Sequence, residues 1–305
     1  MSIQWFPGHM AKARRQVGEK LKQVDIVLEL LDARAPLSSR NPMIEEVIAH
    51  KTRLILLTKA DLADEKQTKA WIQYFKERGI SVHPVDAQTG KGVQQIPAKA
   101  QSVLKELLER RKSKGIASQK VRAMVIGIPN VGKSSLINRL AKRTAAQTGD
   151  KPGVTRAQQW IRVGGIIELL DTPGILWPKF EDPTVGLKLA LSNAIKEEIL
   201  PVDEVAVYGI QLLCEKYPEQ LKERYKLTDL DGEPHEILET IGKKRGCMQR
   251  GGTVNIEKAA EIVVTDIRSG RLGRLTFEWA SDQEEKENGD SEEAGGSEGL
   301  VESTD

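Results

Sequence analysis

Short apolar runs alternate with amphipathic stretches in the first part of the chain. The runs at 25–31, 53–57 and 121–126 are apolar at nearly every position, which is typical of strands buried on both faces. A shorter run at 81–85 predicts another strand. The amphipathic stretches between these runs predict helices at 11–22, 43–50, 64–78 and 93–112. Strands that alternate with helices predict the α/β class, with a mostly parallel sheet covered by helices on both faces.

A change of pattern divides the chain. Residues 158–163 and 166–170 predict two paired strands across Gly164-Gly165, but from residue 184 the periodicity is helical only. Five helices are predicted there, at 184–196, 201–216, 218–225, 234–245 and 255–269. We therefore expect four parts: a basic N-terminal arm (1–22), an α/β domain (23–178), an all-α domain (184–280) and an acidic tail (281–305).

Charge is distributed unevenly along the 305 residues. The net charge is +2, but residues 281–305 contain ten acidic residues and one lysine, so the first 280 residues carry +11. A basic body suits a polyanionic partner such as RNA, although it also suits simple solubility. The tail, rich in Ser, Gly and carboxylates, is predicted to be disordered. Two distant cysteines, no apolar run of membrane-spanning length and no signal peptide favour a cytoplasmic protein without a membrane partner.

A phosphate-binding loop follows the predicted strand at 121–126. Residues Gly127–Ser135 have the spacing G-x-x-x-x-G-K-S between a strand and a helix. Glycines let the backbone wrap around phosphate oxygens, and the helix that follows presents its positive end to them. Lys133 is predicted to contact the β- and γ-phosphates, and Ser134 to supply one Mg²⁺ ligand. The phosphate-contacting set is Asn130, Val131, Gly132, Lys133, Ser134 and Ser135.

Two motifs predict that the base is guanine. Thr58, Lys59, Ala60 and Asp61 resemble the motif N-K-x-D, with Thr in place of Asn. An aspartate there accepts from the N1–H and N2 amine of guanine but repels adenine, whose N1 is an acceptor. Asp86 and Ala87 stand where guanine nucleotidases carry S-A-x, whose backbone N–H contacts guanine O6.

A second motif that predicts Mg²⁺ and phosphate contacts is Asp171-Thr-Pro-Gly174, which matches D-x-x-G. We expect Asp171 to hold the Mg²⁺ shell and the Gly174 N–H to contact the γ-phosphate. Thr155, between the two phosphate motifs, is predicted to complete the Mg²⁺ ligands when the γ-phosphate is present. GTP, GDP and Mg²⁺ are therefore the expected ligands.

The order of the motifs is unusual because the base-reading residues at 58 and 86 precede the phosphate loop at 127. With that order, six segments resemble circularly permuted GTPases of the ribosome biogenesis GTPase A (YlqF) branch. The segments are Trp5–Met10, Asp32–Pro36, Ser39–Pro42, Thr58–Asp61, Gly127–Ser135 and Asp171–Gly174. The resemblance extends to about residue 280. It implies a P-loop GTPase fold in circularly permuted order, followed by the all-α domain.

The resemblance also implies a partner. Relatives of this kind are cytosolic bacterial GTPases that help mature the large ribosomal subunit by binding rRNA, and we expect a monomer away from the ribosome. Clustered cations in the helical domain then become candidate RNA contacts. They are Lys243, Lys244, Arg245, Arg250, Arg268, Arg271 and Arg274.

The residue that positions the attacking water is not obvious. Ile175 follows D-x-x-G where many GTPases carry glutamine, and an aliphatic chain cannot orient water. His9 is our candidate, because an imidazole can orient or accept from water near neutral pH; the alternatives are an exposed histidine or an RNA contact. Lys133 and Gly174 complete the catalytic set. In similar GTPases an asparagine placed like Asn130 helps to hold K⁺, whereas an ordinary turn asparagine is the alternative.

Two functional hypotheses remain at this point. One is a GTPase whose hydrolysis is timed by the assembling subunit. The other is a nucleotide-gated RNA-binding scaffold with incidental hydrolysis, which Ile175 favours.

Overall fold

The architecture centres on one twisted sheet. The structure is a computed structural model, and it describes residues 7–116, 120–142, 160–172, 182–195 and 200–285 together with Phe180. The six strands lie in the order β3-β2-β1-β4-β6-β5. Their bounds are β1 Ile26–Asp32, β2 Arg53–Thr58, β3 Ser81–Pro84, β4 Val121–Ile126, β5 Trp160–Val163 and β6 Ile167–Asp171.

All strand pairs are parallel except the last. β1 pairs in parallel with β2 and β4, and the parallel series continues through β3 and β6. The edge strand β5 runs antiparallel to β6, as the predicted hairpin requires. The carboxyl ends of five strands therefore lie at one edge of the sheet, where loops of such folds bind ligands. The predicted α/β class is confirmed.

Helices in the first part of the chain cover the sheet. They are α1 Pro7–Leu21, α2 Pro42–Ile48, α3 Glu65–Glu77, α4 Ile96–Val103, α5 Lys105–Ser113 and α6 Lys133–Ala141. The helical region that follows contains α7 Pro183–Leu191, α8 Val202–Lys216, α9 Pro218–Tyr225, α10 Pro234–Lys244 and α11 Ile256–Arg268. Among these described helices, none combines the length and apolar character needed to cross a membrane.

Several helices begin at polar residues that cap them. The side chains of Asn41, Asp64, Asp182 and Asn255 accept hydrogen bonds from backbone N–H groups in the first turns of α2, α3, α7 and α11. Such caps satisfy amides that have no partner within the helix. The local sequence thus sets where these helices start.

The prediction of one helix over 93–112 is wrong. A 3-10 turn at Val93–Gln95 leads into α4, and Leu104 then separates α4 from α5 with φ −96° and ψ 13°. Leu104 is 3% exposed, and its side chain belongs to the main core. The apolar periodicity of the sequence continues through the bend, and helical hydrogen bonds are present on both sides of it. The pattern alone therefore cannot show the break.

The hydrophobic core extends from the sheet into the helical region. One continuous cluster joins Leu28 and Val125 of the sheet to Leu213 of α8 and Val263 of α11. On the opposite face, Val17 of α1 belongs to a separate cluster with residues of α2, β1, β4 and β6. The helical region is therefore packed against the sheet domain by buried apolar surface, which is the main source of stability in such contacts.

The chain also returns from the helical region to the sheet. Residues 274–280 form what we call the returning segment. Phe277 N donates to Arg34 O at 2.7 Å. The Glu278 carboxylate accepts from Leu37 N at 2.8 Å. These bonds fasten the end of the helical region to the loop that follows β1.

A buried carboxylate organises the helical region. Asp266 in α11 is 1% exposed and accepts hydrogen bonds from Arg224, Tyr225, Arg245 and Arg271. Burial by itself would raise the pKa of Asp266, but hydrogen bonds from Arg224 and Arg271 outweigh it and lower the pKa. The group therefore stabilises the folded state as an anion.

Asp266→Asn is expected to lower the free energy of unfolding at pH 7 by ~2–3 kcal/mol, because three arginines lose a charged partner while remaining partly solvated. Since folding lowers the pKa of Asp266, its contribution is present above the unfolded carboxyl pKa of about 4 and is lost as the pH falls further. Urea unfolding at pH 7 and pH 3 measures both effects.

The control is Glu239→Gln, which removes an exposed pair with Lys243 and should cost less than ~0.5 kcal/mol. Equal stability of the two variants at pH 7 would contradict this role.

Candidate nucleotide-binding site

The predicted phosphate loop joins β4 to α6. A Cβ at Gly127 would lie 2.8 Å from Leu30 O, so only glycine fits where the loop crosses β1. Gly132 adopts φ 103°, a conformation that favours glycine, and is the N-cap of α6 without a side-chain cap. Asn130 also has a positive φ, 54°. The backbone therefore turns tightly and leaves the first amides of α6 directed at the loop.

Lys133 lies across this loop. Its ammonium group donates to Gly127 O at 3.0 Å and to Ile128 O at 2.7 Å, and the residue is 8% exposed. Ser134 follows in the first turn of α6 and is half-buried, whereas Ser135 is exposed. A lysine held at the mouth of the loop is placed to meet incoming phosphate oxygens.

The predicted base-reading loop, Thr58–Asp61, adjoins the phosphate loop. Thr58 ends β2, and its hydroxyl lies 2.7 Å from Val131 O and 3.0 Å from Leu31 O. Because a hydroxyl carries one hydrogen, it donates to one of these carbonyls at a time. Threonine thus supplies a direct link between the two loops at the position where the usual motif has asparagine.

Asp61 lies at the same edge of the sheet. Partial burial raises its pKa, and the negative charge of Asp86 acts in the same direction, while Arg34 and Arg274 oppose the rise. An ionised carboxylate only accepts hydrogen bonds, so a site at Asp61 favours hydrogen-bond donors. The N1–H and N2 amine of guanine are donors of this kind.

Asp86 shapes the neighbouring turn. Its carboxylate accepts from Gln88 N at 2.7 Å, from Thr89 N at 3.1 Å and from the Thr89 hydroxyl. Burial tends to raise its pKa, but the hydrogen bonds from Thr89 and Gln88 lower it overall. The carboxylate therefore holds the backbone that carries Ala87, which fits a role for the main chain rather than the Asp86 side chain in base recognition. His83 Nε2 donates to Gly92 O at 2.8 Å, which is a structural role.

The residues predicted to hold Mg²⁺ are only partly among the described residues. Val125 of β4 pairs with Asp171 of β6, so Asp171 ends its strand beside the phosphate loop, although its side chain lies outside the described residues. Thr172 donates to Val125 O at 2.5 Å. A serine hydroxyl and a carboxylate are the oxygen donors that Mg²⁺ takes together with phosphates, so the residues present fit this ion. Thr155, Gly174 and Ile175 lie outside the described residues.

The N-terminal candidate is placed only through its backbone. His9 belongs to α1, which packs beside α2 through Arg14 and Glu46, 2.9 Å apart. The last turn of α1 leads through a short turn into the amino end of β1. The His9 side chain is outside the described residues, so its catalytic role stays a prediction.

Most of the candidate RNA-binding cations have partners within the chain. Arg245 and Arg271 bind Asp266, and Arg268 donates to Ala190 O. The other contacts are Lys243 with Glu239, Lys244 with Lys226 O, and Arg274 with Ala60 O and Ala63 O; Arg250 is exposed. Several of these side chains thus have a structural role, and their contact with RNA stays a prediction.

Sequence reasoning assigned no role to one buried group in the site. Asp32 and Arg34, in the segment Asp32–Pro36, are each 1% exposed and lie beside Lys59 of the base-reading loop. The motif D-A-R-A-P was visible, but its partners come from distant parts of the chain. The signal that could have found it is an acidic and a basic residue two positions apart at the end of a mostly apolar strand.

Comparisons with known proteins agree with this geometry. A family model described as "50S ribosome-binding GTPase" matches residues 122–245. Ribosome biogenesis GTPase A of Bacillus cereus is 56% identical over 278 residues, covering 91% of this chain and 94% of the relative. The Thermotoga maritima protein of the same name is 31% identical over 280 residues, covering 92% and 95%. The crystal structure of GNP-bound YlqF from T. maritima superposes with a TM-score of 0.62 at 28% identity, covering 88% of this chain and 98% of that one.

The family match also explains the order of the motifs. It begins at Arg122, in the strand that leads to the phosphate loop, and leaves the predicted base-reading residues at 58 and 86 upstream. All these loops nevertheless lie at one edge of a single sheet, because circular permutation changes the order of strands along the chain and keeps their order in space. The chain accordingly belongs to the ribosome biogenesis GTPase A family, and it is a circularly permuted GTPase that acts in ribosome biogenesis.

Proposed function

We propose that this GTPase acts late in maturation of the large (50S) ribosomal subunit, where it binds rRNA of the precursor and leaves after GTP hydrolysis. The observation that carries the proposal is the family match, whose description names 50S binding, on a chain with a basic body. Lys243 and Arg250, on and after α10, are exposed cations suited to phosphate contacts. We further propose a cytoplasmic protein without a membrane partner, monomeric away from the ribosome.

In the proposed mechanism, the chain positions GTP and leaves one catalytic element to its partner. Lys133 and the α6 amides hold the β- and γ-phosphates, and the Gly174 N–H contacts the γ-phosphate. Ser134, Thr155 and Asp171 would hold Mg²⁺, which neutralises phosphate charge when bound. Ile175 cannot orient water, so His9 would do so when the subunit is bound.

Purified large subunits are expected to raise GTP turnover in K⁺ buffer by about ten-fold or more, equivalent to ~1.4 kcal/mol of barrier. His9→Ala should remove most of that rise, because it removes the imidazole that orients water. The matched control is His50→Ala, an exposed histidine just after α2, which should respond to subunits like the parent. A His9 variant that keeps the full rise would exclude His9 as the water-orienting group.

Turnover is expected to depend on K⁺ through Asn130. Replacing K⁺ by Na⁺ at equal ionic strength should slow hydrolysis, because the smaller ion fits the same ligands less well. Asn130→Gly is the informative variant: glycine tolerates the positive φ of this position, so the loop is kept while the side-chain oxygen is lost. Its rates in K⁺ and Na⁺ should be equal. Equal rates for the parent in the two salts would rule out K⁺ dependence.

The second candidate function is a nucleotide-gated RNA-binding scaffold with incidental hydrolysis. Ile175 favours it, because unaided hydrolysis should be slow. The same turnover experiment separates the two: no rise with subunits, together with GTP-dependent binding to them, would favour the scaffold.

A further inference from the structure

The base-reading loop Thr58–Asp61 is held by residues outside its own domain. Lys59 follows β2 in a left-handed conformation, with φ 54°, which is uncommon for a residue with a side chain. Its ammonium group lies 3.0 Å from the Asp32 carboxylate and donates to Ser192 O at 3.2 Å. Ser192 is the C-cap of α7, the first helix of the helical region. The lysine of the base motif therefore bridges the sheet and that helix.

Asp32 and Arg34 form the other half of this bridge. The Asp32 carboxylate accepts from Arg34 N and Nε, both at 3.0 Å, and from Arg34 Nη2 at 2.9 Å. Arg34 Nη2 also donates to Ser192 O at 2.9 Å. Burial alone would raise the pKa of Asp32, but the charges of Arg34 and Lys59 hold it well below its usual range. Two cations thus converge on the carbonyl end of α7, where the helix dipole is negative.

Arg274 holds the loop from the opposite side. Its guanidinium group donates to Ala60 O and Ala63 O, both at 2.7 Å. The next residue, Leu275, donates its N–H to Leu62 O at 2.9 Å. Carbonyls on both sides of Asp61 are therefore fixed by the returning segment. A side chain that must meet two donors on a base depends on such support, because a shift of about 1 Å can cost two orders of magnitude in rate.

We propose that Arg274 and the Asp32–Arg34 pair are positioning residues for base recognition, because they fix Lys59 and Ala60 and thereby aim Asp61 at guanine. The helical region is then a structural part of the guanine site, and the arginine predicted to contact RNA serves nucleotide specificity. This rests on the proposed placement of base recognition at Asp61.

Arg274→Ala is the principal test. The side chain is 46% exposed and leaves no buried charge when it is removed. The readout is the ratio of kcat/KM for GTP and ITP, since inosine lacks the N2 amine and reports on one of the two bonds to Asp61. We expect the KM for GTP to rise about ten-fold, as two lost hydrogen bonds would allow, the GTP/ITP ratio to fall at least three-fold, and kcat at saturation to stay within two-fold.

The matched control is Arg111→Ala. Arg111 pairs with Asp25 at the opposite end of β1 and has 29% exposure of its side chain. It should cost stability without changing the GTP/ITP ratio. Arg274→Lys keeps a positively charged donor group, so its GTP/ITP ratio should lie between those of Arg274→Ala and the parent. A general loss of stability would not produce this ranking of the GTP/ITP ratios.

Asp32→Asn tests the other half of the bridge, and Asp25→Asn is its control.

The proposal is overturned if Arg274→Ala folds like the parent and keeps the parent's GTP/ITP ratio. Asp61→Asn separates this failure from failure of the base site itself. If Asp61→Asn changes base preference and Arg274→Ala does not, only the positioning role is wrong; if neither does, the placement of the base at Asp61 is also wrong.

Discussion

Lys133→Ala is expected to lower kcat/KM for GTP by about 10²–10³-fold, the usual cost of removing one preorganised donor to developing charge. The Lys133 ammonium group already lies in the phosphate loop, bonded to Gly127 O and Ile128 O. It therefore needs little reorganisation to meet the β- and γ-phosphates. Single-turnover hydrolysis and nucleotide titration together separate loss of chemistry from loss of binding.

The control for this change lies on the same helix. Lys142 is the exposed C-cap of α6, at the end far from the phosphates, so Lys142→Ala should leave hydrolysis within two-fold of the parent. Circular dichroism must show that Lys133→Ala is folded, because two loop carbonyls lose a donor. A folded Lys133→Ala with more than a tenth of the parent kcat/KM would show that phosphates do not bind at this loop.

Asp61→Asn is expected to reverse base preference from GTP to XTP. In the proposed site the carboxylate accepts from N1–H and N2 of guanine. Each hydrogen bond to a charged group contributes ~1.5–3 kcal/mol, so kcat/KM for GTP should fall by about 100-fold. Xanthine has a carbonyl at C2, to which the asparagine amide can donate. Hydrolysis of XTP should rise correspondingly, measured by phosphate release with each nucleotide.

Asp86→Asn distinguishes the two carboxylates at this edge. Asp86 accepts bonds from its own turn, through Gln88 N and Thr89 N, so its amide variant should weaken binding of all nucleotides without creating a preference for XTP. If Asp86→Asn conferred that preference and Asp61→Asn did not, the roles of the two residues would have to be exchanged.

The contacts around the base-reading loop suggest how the nucleotide and the helical region affect each other. Lys59 and Ala60 are bonded to Ser192 and Arg274 respectively. A ligand that orders this loop must therefore also favour one placement of α7 and the returning segment, and by thermodynamic linkage the reverse holds. A precursor subunit that binds the helical region would in this way influence nucleotide affinity directly.

Local chemistry explains what could be predicted from the sequence. The strand after residue 25, the phosphate loop at Gly127–Ser135 and the caps at Asn41 and Asp64 depend on neighbours within a few residues. A glycine that allows the positive φ of a tight turn, as Gly132 does, or an asparagine that caps the next helix, acts over short separations. Such local constraints are visible in the periodicity and motif spacing of the sequence. The fold class and the nucleotide-binding motifs could therefore be predicted from it.

Tertiary structure alone decided which basic residues of the helical region bind distant partners. Arg268 and Arg274 belong to one basic run in the sequence, yet the first binds Ala190 O and the second binds the base-reading loop more than 200 positions earlier. The bend at Leu104, whose side chain is buried in the core, is likewise visible only in the tertiary structure, because the apolar periodicity continues across it. The residues next to a charged or apolar side chain in the sequence do not indicate its distant partner, because long-range contacts form only when the helices and strands pack together.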